Sequence, residues 1–412
     1  MSEVPQSIRP LHDRVLRFVE SRVQPREQEL DRPWSECLPV LEELRAAAKE
    51  EGLWALGHPT ELGGKGLAMR DYLFINEVIG RSEPAMAVLG TNTLQTALLL
   101  NRYATPWMRE ELLMPLVDRG HGVSFAVTEP GVASSDPTQL TTQAELVDGE
   151  WVVTGRKWFI SWVDRSSHVL VMCRTEPSDA PVHEAFSMLV VPTDAPGFRI
   201  VRDLSVMGLR DVLSGHFELE FDAVRVPAEN LLGPRGGGFT LAQDRLGPGR
   251  MYHCMRWLGM AQRAFDLLCV RANERHTGGR PLLDRQLIQK MIFDSYCDIQ
   301  SARLMVLHAA ELIDRGDQAR IEISAIKVRC AQMVHDVVDR AIQVYGGEGM
   351  TNDTPLQAMY RHARYGRIVD GPDEVHVQRV ARRLGATYER GERWDFSAAG
   401  PALREAPAIE RT

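Results

Sequence analysis

The chain is short of the patterns that mark several common chemistries. Its six cysteines, Cys37, Cys173, Cys254, Cys269, Cys297 and Cys330, are scattered and include no CxxC pair. A disulfide framework is therefore not expected, and a reducing compartment is the better reading. The twelve histidines are dispersed; with no HExxH and no Cys/His cluster, no metal site is expected. No GxGxxG joins a strand to a helix, GxSxG is absent, and GxxxxGK[ST] fails because Gly64-Lys65 is followed by Gly66. Rossmann nicotinamide, nucleotide-hydrolysing, zinc and serine-hydrolase readings thus lose direct support. No apolar run approaches the roughly 18 residues of a bilayer helix, so no membrane association is expected. Lys and Arg total 48 against 56 Asp and Glu, with the signs mixed along the chain. That pattern argues against sequence-independent nucleic-acid binding. The first residues, MSEVPQSIRP, have neither an apolar signal core nor transit-peptide character, and a cytoplasmic location is the expectation.

What is present is a well-cored globular chain. Its 412 residues, 44% hydrophobic and 25% charged, exceed the roughly 250–300 at which one core stops growing, so two or three domains are expected. From Ile8 to Arg119 apolar residues recur at helical spacing: Leu11, Val15, Leu16, Val19, then Leu38, Leu41, Leu44, and later Leu94, Ala97, Leu98, Leu99. The stretch 57–66 is too rich in Gly and Pro to stay helical. After Gly122 short strand-like segments follow: 123–127, the hairpin 144–147 and 150–153 around Asp148-Gly149, then 168–173, 186–191 and 216–221. Long helical patterns cover 239–273, 287–313 and 320–345, and a last one runs from Asp373 to about Arg393. In the second of these, Leu287, Met291, Tyr296, Ile299, Ala302, Met305, Ala309 and Leu312 mark an apolar stripe. The fold class is α+β, mainly α: a helical domain over 1–121, a middle antiparallel β domain over 122–235, a four-helix bundle over 236–395, and a poorly ordered tail over 396–412.

Four segments carry chemistry. They are Phe125-Ala-Val-Thr-Glu-Pro-Gly-Val-Ala-Ser-Ser-Asp136, Arg156-Lys-Trp-Phe-Ile-Ser161, Glu274-Arg-His-Thr277 with Gln286, and Gln343-Val-Tyr-Gly-Gly-Glu-Gly349 leading towards Ile368-Val-Asp-Gly371. In this order, within a helix, sheet, helix layout, they resemble the acyl-CoA dehydrogenase family over residues 8–393. The resemblance implies an FAD enzyme that removes hydrogens from the α and β carbons of an acyl-CoA thioester. Its electrons would pass to an electron-transfer flavoprotein. It also implies a homodimer or a dimer of dimers.

Carried over position by position, the resemblance places Phe125, Val127, Thr128, Phe159 and Ser161 against the flavin or thioester. A strand end with backbone groups and a small hydroxyl suits a ring edge of donors and acceptors. Phe159 stands where Trp is common and Ser161 where Thr is common. Ser135, with Asp136, follows a one-residue insertion and is expected at cofactor and substrate. Arg275, Thr277 and Gln286 match positions that hold FAD across a dimer interface, and Gly278 replaces a frequent Phe. Gln343, Gly346 and Gly347 match a turn that approaches the neighbouring subunit's FAD. Read alone, these residues are also sheet core, turn chemistry, a solvated helix charge and a helix C-cap.

The resemblance further implies a base that takes the α-proton while hydride leaves the β carbon for flavin N5. The family usually supplies Glu; here the matching residue is Asp370, followed by Gly371 and Pro372. Some relatives also carry Asp there. Burial beside an acyl chain would raise such a carboxyl's pKa. The alternative base position matches Gly249, which cannot serve. Arg250 resembles an arginine near the CoA entrance, a structural ion pair being the other reading. Gly371 is expected beside substrate, Pro372 replaces a Thr, and Glu374 stands where Gln is common. His376 is a proton shuttle or ordinary packing. A flavin oxidase on the same scaffold, such as the nitroalkane oxidases, and a non-catalytic scaffold are the competing readings.

Overall fold

A computed structural model describes residues 3–208, 215–396 and 400–402. The N-terminal third is helical, with α1 over Arg9–Phe18, α2 over Trp34–Glu50, α3 over Met69–Ile79 and α4 over Leu94–Tyr103. Each turns an apolar stripe inwards: Val15 of α1, Leu41 and Leu44 of α2, and Leu94 and Ala97 of α4 are buried. The stretch 57–66 contains only a short turn of helix at Thr60–Leu62.

The middle of the chain forms an eight-stranded sheet. Its strands are β1 (Val123–Ala126), β2 (Gln143–Val147), β3 (Glu150–Ser161), β4 (His168–Arg174), β5 (Phe186–Pro192), β6 (Phe198–Leu204), β7 (His216–Pro227) and β8 (Leu231–Leu232). The order is β6-β7-β3-β2-β4-β5-β8, with β1 beside β4. The ladders are antiparallel except β1 along β4 and the one pair between β2 and β4. Asp148 and Gly149 both take positive φ, 54° and 84°, which is what a primed two-residue turn between β2 and β3 requires. Strand β6 has no counterpart in the pattern read from sequence.

The C-terminal third holds α5 (Gly238–Glu274), α6 (Gln286–Asp314), α7 (Arg320–Tyr345), α8 (Leu356–Tyr365) and α9 (Asp373–Glu389). One apolar cluster joins this bundle to the N-terminal helices, so the two share a core. Helices α3 and α5 approach closely. A Cβ on Gly259 would lie 1.8 Å from the Glu77 carbonyl oxygen, and only glycine lets the backbones meet there.

The α6 stripe is half buried. Ile299, Ala302, Ala309 and Leu312 face the core, but Leu287 is 75% exposed and Tyr296 54%, and Met305 is exposed as well. The last helix stops at Glu389 rather than near Arg393. A short ladder pairs Arg393–Asp395 with Gly400–Ala402, while the rest of the expected tail, 397–399 and 403–412, lies outside the described residues.

Candidate active site

One wall of the site is the exit of β1, pinned from below. Lys157 Nζ donates 2.9 Å to the Val127 carbonyl and 2.9 Å to Glu129 Oε1. The Trp158 amide donates 3.0 Å to the Thr128 carbonyl. Glu129 also accepts from the Thr141 amide (2.7 Å) and hydroxyl (2.8 Å) and from the Thr142 amide (2.9 Å). Lys157 and Glu129 are both buried, at 0% and 2% side-chain exposure. Burial pushes the Glu129 carboxyl up, but Lys157 and the threonine donors outweigh it and bring the pKa down to about 2. The same burial lowers the Lys157 ammonium. Phe125 is half-buried, with the Arg245 guanidinium 4.2 Å from its ring centroid.

A bulge between Lys157 and Ile160 re-aims the end of β3. Phe159 takes φ 54° and leaves its ring 46% exposed, a conformation rare for a bulky residue. Its ring meets Trp158 edge-on at 4.9 Å and His216 at 6.1 Å. Ser161 Oγ lies 3.1 Å from His216 Nδ1, and burial brings the His216 pKa down to about 4, so the hydroxyl faces a neutral ring. Beside it opens a cavity of about 290 Å³ lined by Trp34, Arg165, Leu204, His216, Phe217 and Tyr365 among others. The Thr128 hydroxyl makes no hydrogen bond among the described residues.

Opposite lies the turn between α8 and α9. Asp370 sits there at φ 54°, and its main-chain carbonyl accepts from Arg250 Nε at 3.0 Å and from His376 Nε2 at 3.1 Å. Oδ2 is buried without a hydrogen bond, 3.3 Å from His253 Nε2. Oδ1 has no hydrogen bond among the described residues, and with Oδ2 buried the side chain still keeps 17% exposure. The loop is braced behind by Asp373, which lies 3.4 Å from Lys327 Nζ and accepts from Arg367 Nε at 2.8 Å.

Two expectations change here. Burial does push the Asp370 carboxyl up, but His253, Arg250 and Arg245 together hold it below the ordinary carboxylate range. Arg250, expected at a CoA entrance, is buried and turned inwards onto the Asp370 carbonyl. His376 is fully buried, its pKa brought down to about 4 by burial and Arg250, which suits packing rather than shuttling.

The remaining expected residues gather elsewhere. Arg275, Thr277, Gln286, Gln343, Gly346 and Gly347 are exposed. The Leu282 amide donates to the Arg275 carbonyl at 2.8 Å, and Arg285 donates to that of Thr277 at 2.5 Å. Arg271 Nη2 pairs with Glu348 at 2.6 Å, which ties the end of α5 to the turn after α7 and places this group at one end of the bundle. Nothing lies within 4 Å of a Cβ built on Gly346 or Gly347. Ser135 is exposed, and neighbouring Asp136 spends its carboxylate on Thr138 and Gln139. Gly371 borders the Asp370 turn, with His376 Nε2 2.9 Å from the place its Cβ would take. No group of three metal-ligating side chains occurs among the described residues, nor is any of their helices long and apolar enough to cross a membrane.

Sequence reasoning did not single out Glu129 and Lys157 as a pair, nor His253, Arg245 or His216. The one available signal was spacing: His253 follows Arg250 by three residues on α5, which puts both on one helical face.

Residues 6–119, 124–224 and 236–385 match, in order, the N-terminal, middle and C-terminal domains of acyl-CoA dehydrogenase. Mouse acyl-CoA dehydrogenase family member 10 is 40% identical over 91% of the chain, which spans only 37% of that protein. FadE2 of Mycobacterium tuberculosis, named a probable acyl-CoA dehydrogenase, is 42% identical over 84% of the chain and 85% of its own length. The solved structure of an acyl-CoA dehydrogenase candidate from Mycobacterium abscessus is 36% identical with a TM-score of 0.89, over 94% of this chain and 100% of that one.

Proposed function

This chain belongs to the acyl-CoA dehydrogenase family, and from that premise we propose that it is an FAD-dependent enzyme that dehydrogenates an acyl-CoA at the α and β carbons, with Asp370 as the base. The observation that carries this reading is the Asp370 turn. It offers an ionised carboxylate with one buried and one open oxygen, on a backbone fixed by two donors.

The protein surfaces fit the cofactor. Phe159 presents a bare ring held in a strained backbone conformation, and Thr128 has a spare hydroxyl. Gly346 and Gly347 leave open space for a close backbone approach. Phe125, Val127, Thr128, Phe159 and Ser161 would line the ring side. Arg275, Thr277, Gln286, Gln343, Gly346 and Gly347, which stand apart from Asp370 in one chain, would serve the FAD of a second copy in a homodimer or dimer of dimers. Bound FAD supplies the acceptor for the β-hydrogen and its electron pair.

The chain's own residues do the rest. Asp370 Oδ1 accepts the α-proton as the Cα–H bond breaks. Arg250 and His376 keep the carboxylate from drifting by holding its main chain. An acyl chain that displaces water from the carboxylate strengthens it as a base, because desolvation favours the protonated form. Electrons would leave to an electron-transfer flavoprotein.

The test is Asp370→Asn, with anaerobic bleaching of bound flavin by a panel of acyl-CoAs. Flavin reduction is expected to fall by about 10²–10⁴ with FAD retained, the loss typical of a missing general base. Near-parent reduction would overturn the assignment. Stoichiometric hydrogen peroxide during aerobic turnover would move the reading to a flavin oxidase.

A further inference from the structure

We propose that His253 is a positioning residue for Asp370, held by Arg256 in the tautomer that carries its proton on Nε2. Arg256 Nη2 lies 2.9 Å from His253 Nδ1. A guanidinium has only donors, so this contact is a hydrogen bond only when Nδ1 is the acceptor. The neutral ring must then keep its single proton on Nε2, the nitrogen 3.3 Å from Asp370 Oδ2. A second proton on Nδ1 would set one N–H against another. Trp257, stacked at 5.6 Å with the ring planes 26° apart, fixes the plane in which Nε2 points.

The chemical consequence is directional. With Nε2 already protonated, His253 cannot take the proton that Asp370 collects, so it does not relay that proton onward. It donates towards Oδ2 and leaves Oδ1 as the oxygen free to meet a C–H bond. The separation of 3.3 Å is long for a hydrogen bond, and such contacts often tighten only when substrate arrives. The other charged or titratable groups facing Asp370 are Arg245 and Arg250 on α5, His376 on α9 and Lys327 on α7. None of the four reaches Oδ2 with a hydrogen bond, and His253 Nε2 lies 3.3 Å from it.

The catalytic consequence rests on the proposed dehydrogenation; the tautomer does not, and the experiment separates them. In the holoenzyme labelled with ¹⁵N-histidine, the His253 resonances are identified by their loss in His253→Gln. At neutral pH the proton is expected on Nε2, with Nδ1 bare and accepting from Arg256. In Arg256→Met, with that donor gone, the two neutral tautomers are expected to mix. A parent spectrum with the proton on Nδ1 overturns the lock.

In anaerobic flavin bleaching by acyl-CoA, His253→Phe keeps a ring over Trp257 but loses the donor. Its rate is expected to fall about 10- to 100-fold, the loss that goes with a hydrogen bond to a charged group. His253→Gln, whose amide can donate to Oδ2, is expected to recover most of it. Arg256→Met is expected to fall between the parent and His253→Phe, because only part of its population keeps the donor on Nε2. If Asp370→Asn is slow while His253→Phe reduces at the parent rate, the positioning role is wrong. If Asp370→Asn itself is normal, the dehydrogenase reading fails, whatever the tautomer.

Discussion

Lys157→Met strips one partner from the most deeply buried ion pair at the site. The substitution removes the ammonium that reaches Glu129 and the Val127 carbonyl and leaves a stem of similar shape. Breaking a buried pair in this way costs about 3–5 kcal/mol, because a charge is left buried without its partner. Glu129 keeps two amides and a hydroxyl as donors, so the low end, about 3 kcal/mol, is the expectation.

At about 2 cal/mol/K of unfolding entropy per residue, that lowers the melting temperature by about 3–4 °C if all 412 residues unfold together, and by about 12 °C if the middle domain unfolds alone. The acid side follows from the sign of the shift. Glu129 has a folded pKa of about 2 against an ordinary 4.5, so its stabilisation is complete above the ordinary value and is lost as pH falls towards the folded one. In Lys157→Met the stranded carboxylate can shed its cost by taking a proton. The variant's deficit should therefore shrink as pH is lowered from neutral. Scanning calorimetry of the holoenzyme reads both effects. Lys157→Met/Glu129→Gln, which removes the stranded charge, should melt above Lys157→Met at neutral pH. If it melts no higher, or if Lys157→Met is indistinguishable from the parent, the ion-pair argument is refuted.

Gly259→Ala should be far more damaging than its size implies. Its Cβ would meet the Glu77 carbonyl oxygen at 1.8 Å and the Arg81 amide nitrogen at 2.9 Å, and backbone cannot give way as a side chain can. A loss of about 3 kcal/mol or more, read by thermal melting and soluble yield, is expected. Gly371→Ala combines φ 104° with a Cβ 2.9 Å from His376 Nε2, a strain of about 1–3 kcal/mol beside Asp370. Flavin reduction should slow about 10-fold, the rate equivalent of 1.4 kcal/mol, while the flavin spectrum of the resting protein stays unchanged.

Where the chain's structure is set by near neighbours, it was legible. The Asp148-Gly149 turn is one case: the dipeptide, its positive φ values and the flanking β residues agree. Helix α7 is another, since its apolar spacing and its bounding glycines mark both ends. Strand β6 escaped because nearly all of it is exposed. Arg199 pairs with Glu220, and Arg202 with Glu218, on the neighbouring strand, so neither face needs the alternation that betrays a strand. The α6 stripe misled for the opposite reason. Leu287, Tyr296 and Met305 keep helical spacing but lie on a face this single chain does not cover.

At the site, Phe125 to Ser161 and Asp370 could be picked out by their local motifs. What the motifs could not give was the sign of the Asp370 shift. That depends on a histidine and two arginines 117–125 residues earlier in the chain, brought beside it by the way α5 crosses the turn.

That crossing also bears on why an aspartate can stand where a longer side chain is usual. The missing methylene shortens the arm by about one C–C bond, a distance that matters when a proton must be met within hydrogen-bond reach. Reach can be replaced by position. Here the main chain of Asp370 takes a left-handed conformation, with Arg250 and His376 both donating to its carbonyl. The backbone itself is thus held where it is needed. The same α5 side chains that secure this geometry lower the carboxylate's basicity, and each pKa unit removes about 1.4 kcal/mol of proton affinity. Arg250 is fixed by its bond to the carbonyl, so its influence stays. Arg245 makes one hydrogen bond among the described residues, a 3.3 Å contact from Nε to Thr96, and packs 4.2 Å over the Phe125 ring. As the proposed base, Asp370 is weak and ionised at rest, and it strengthens as water is displaced from it. On the proposed reading, proton abstraction is thereby tied to the presence of substrate.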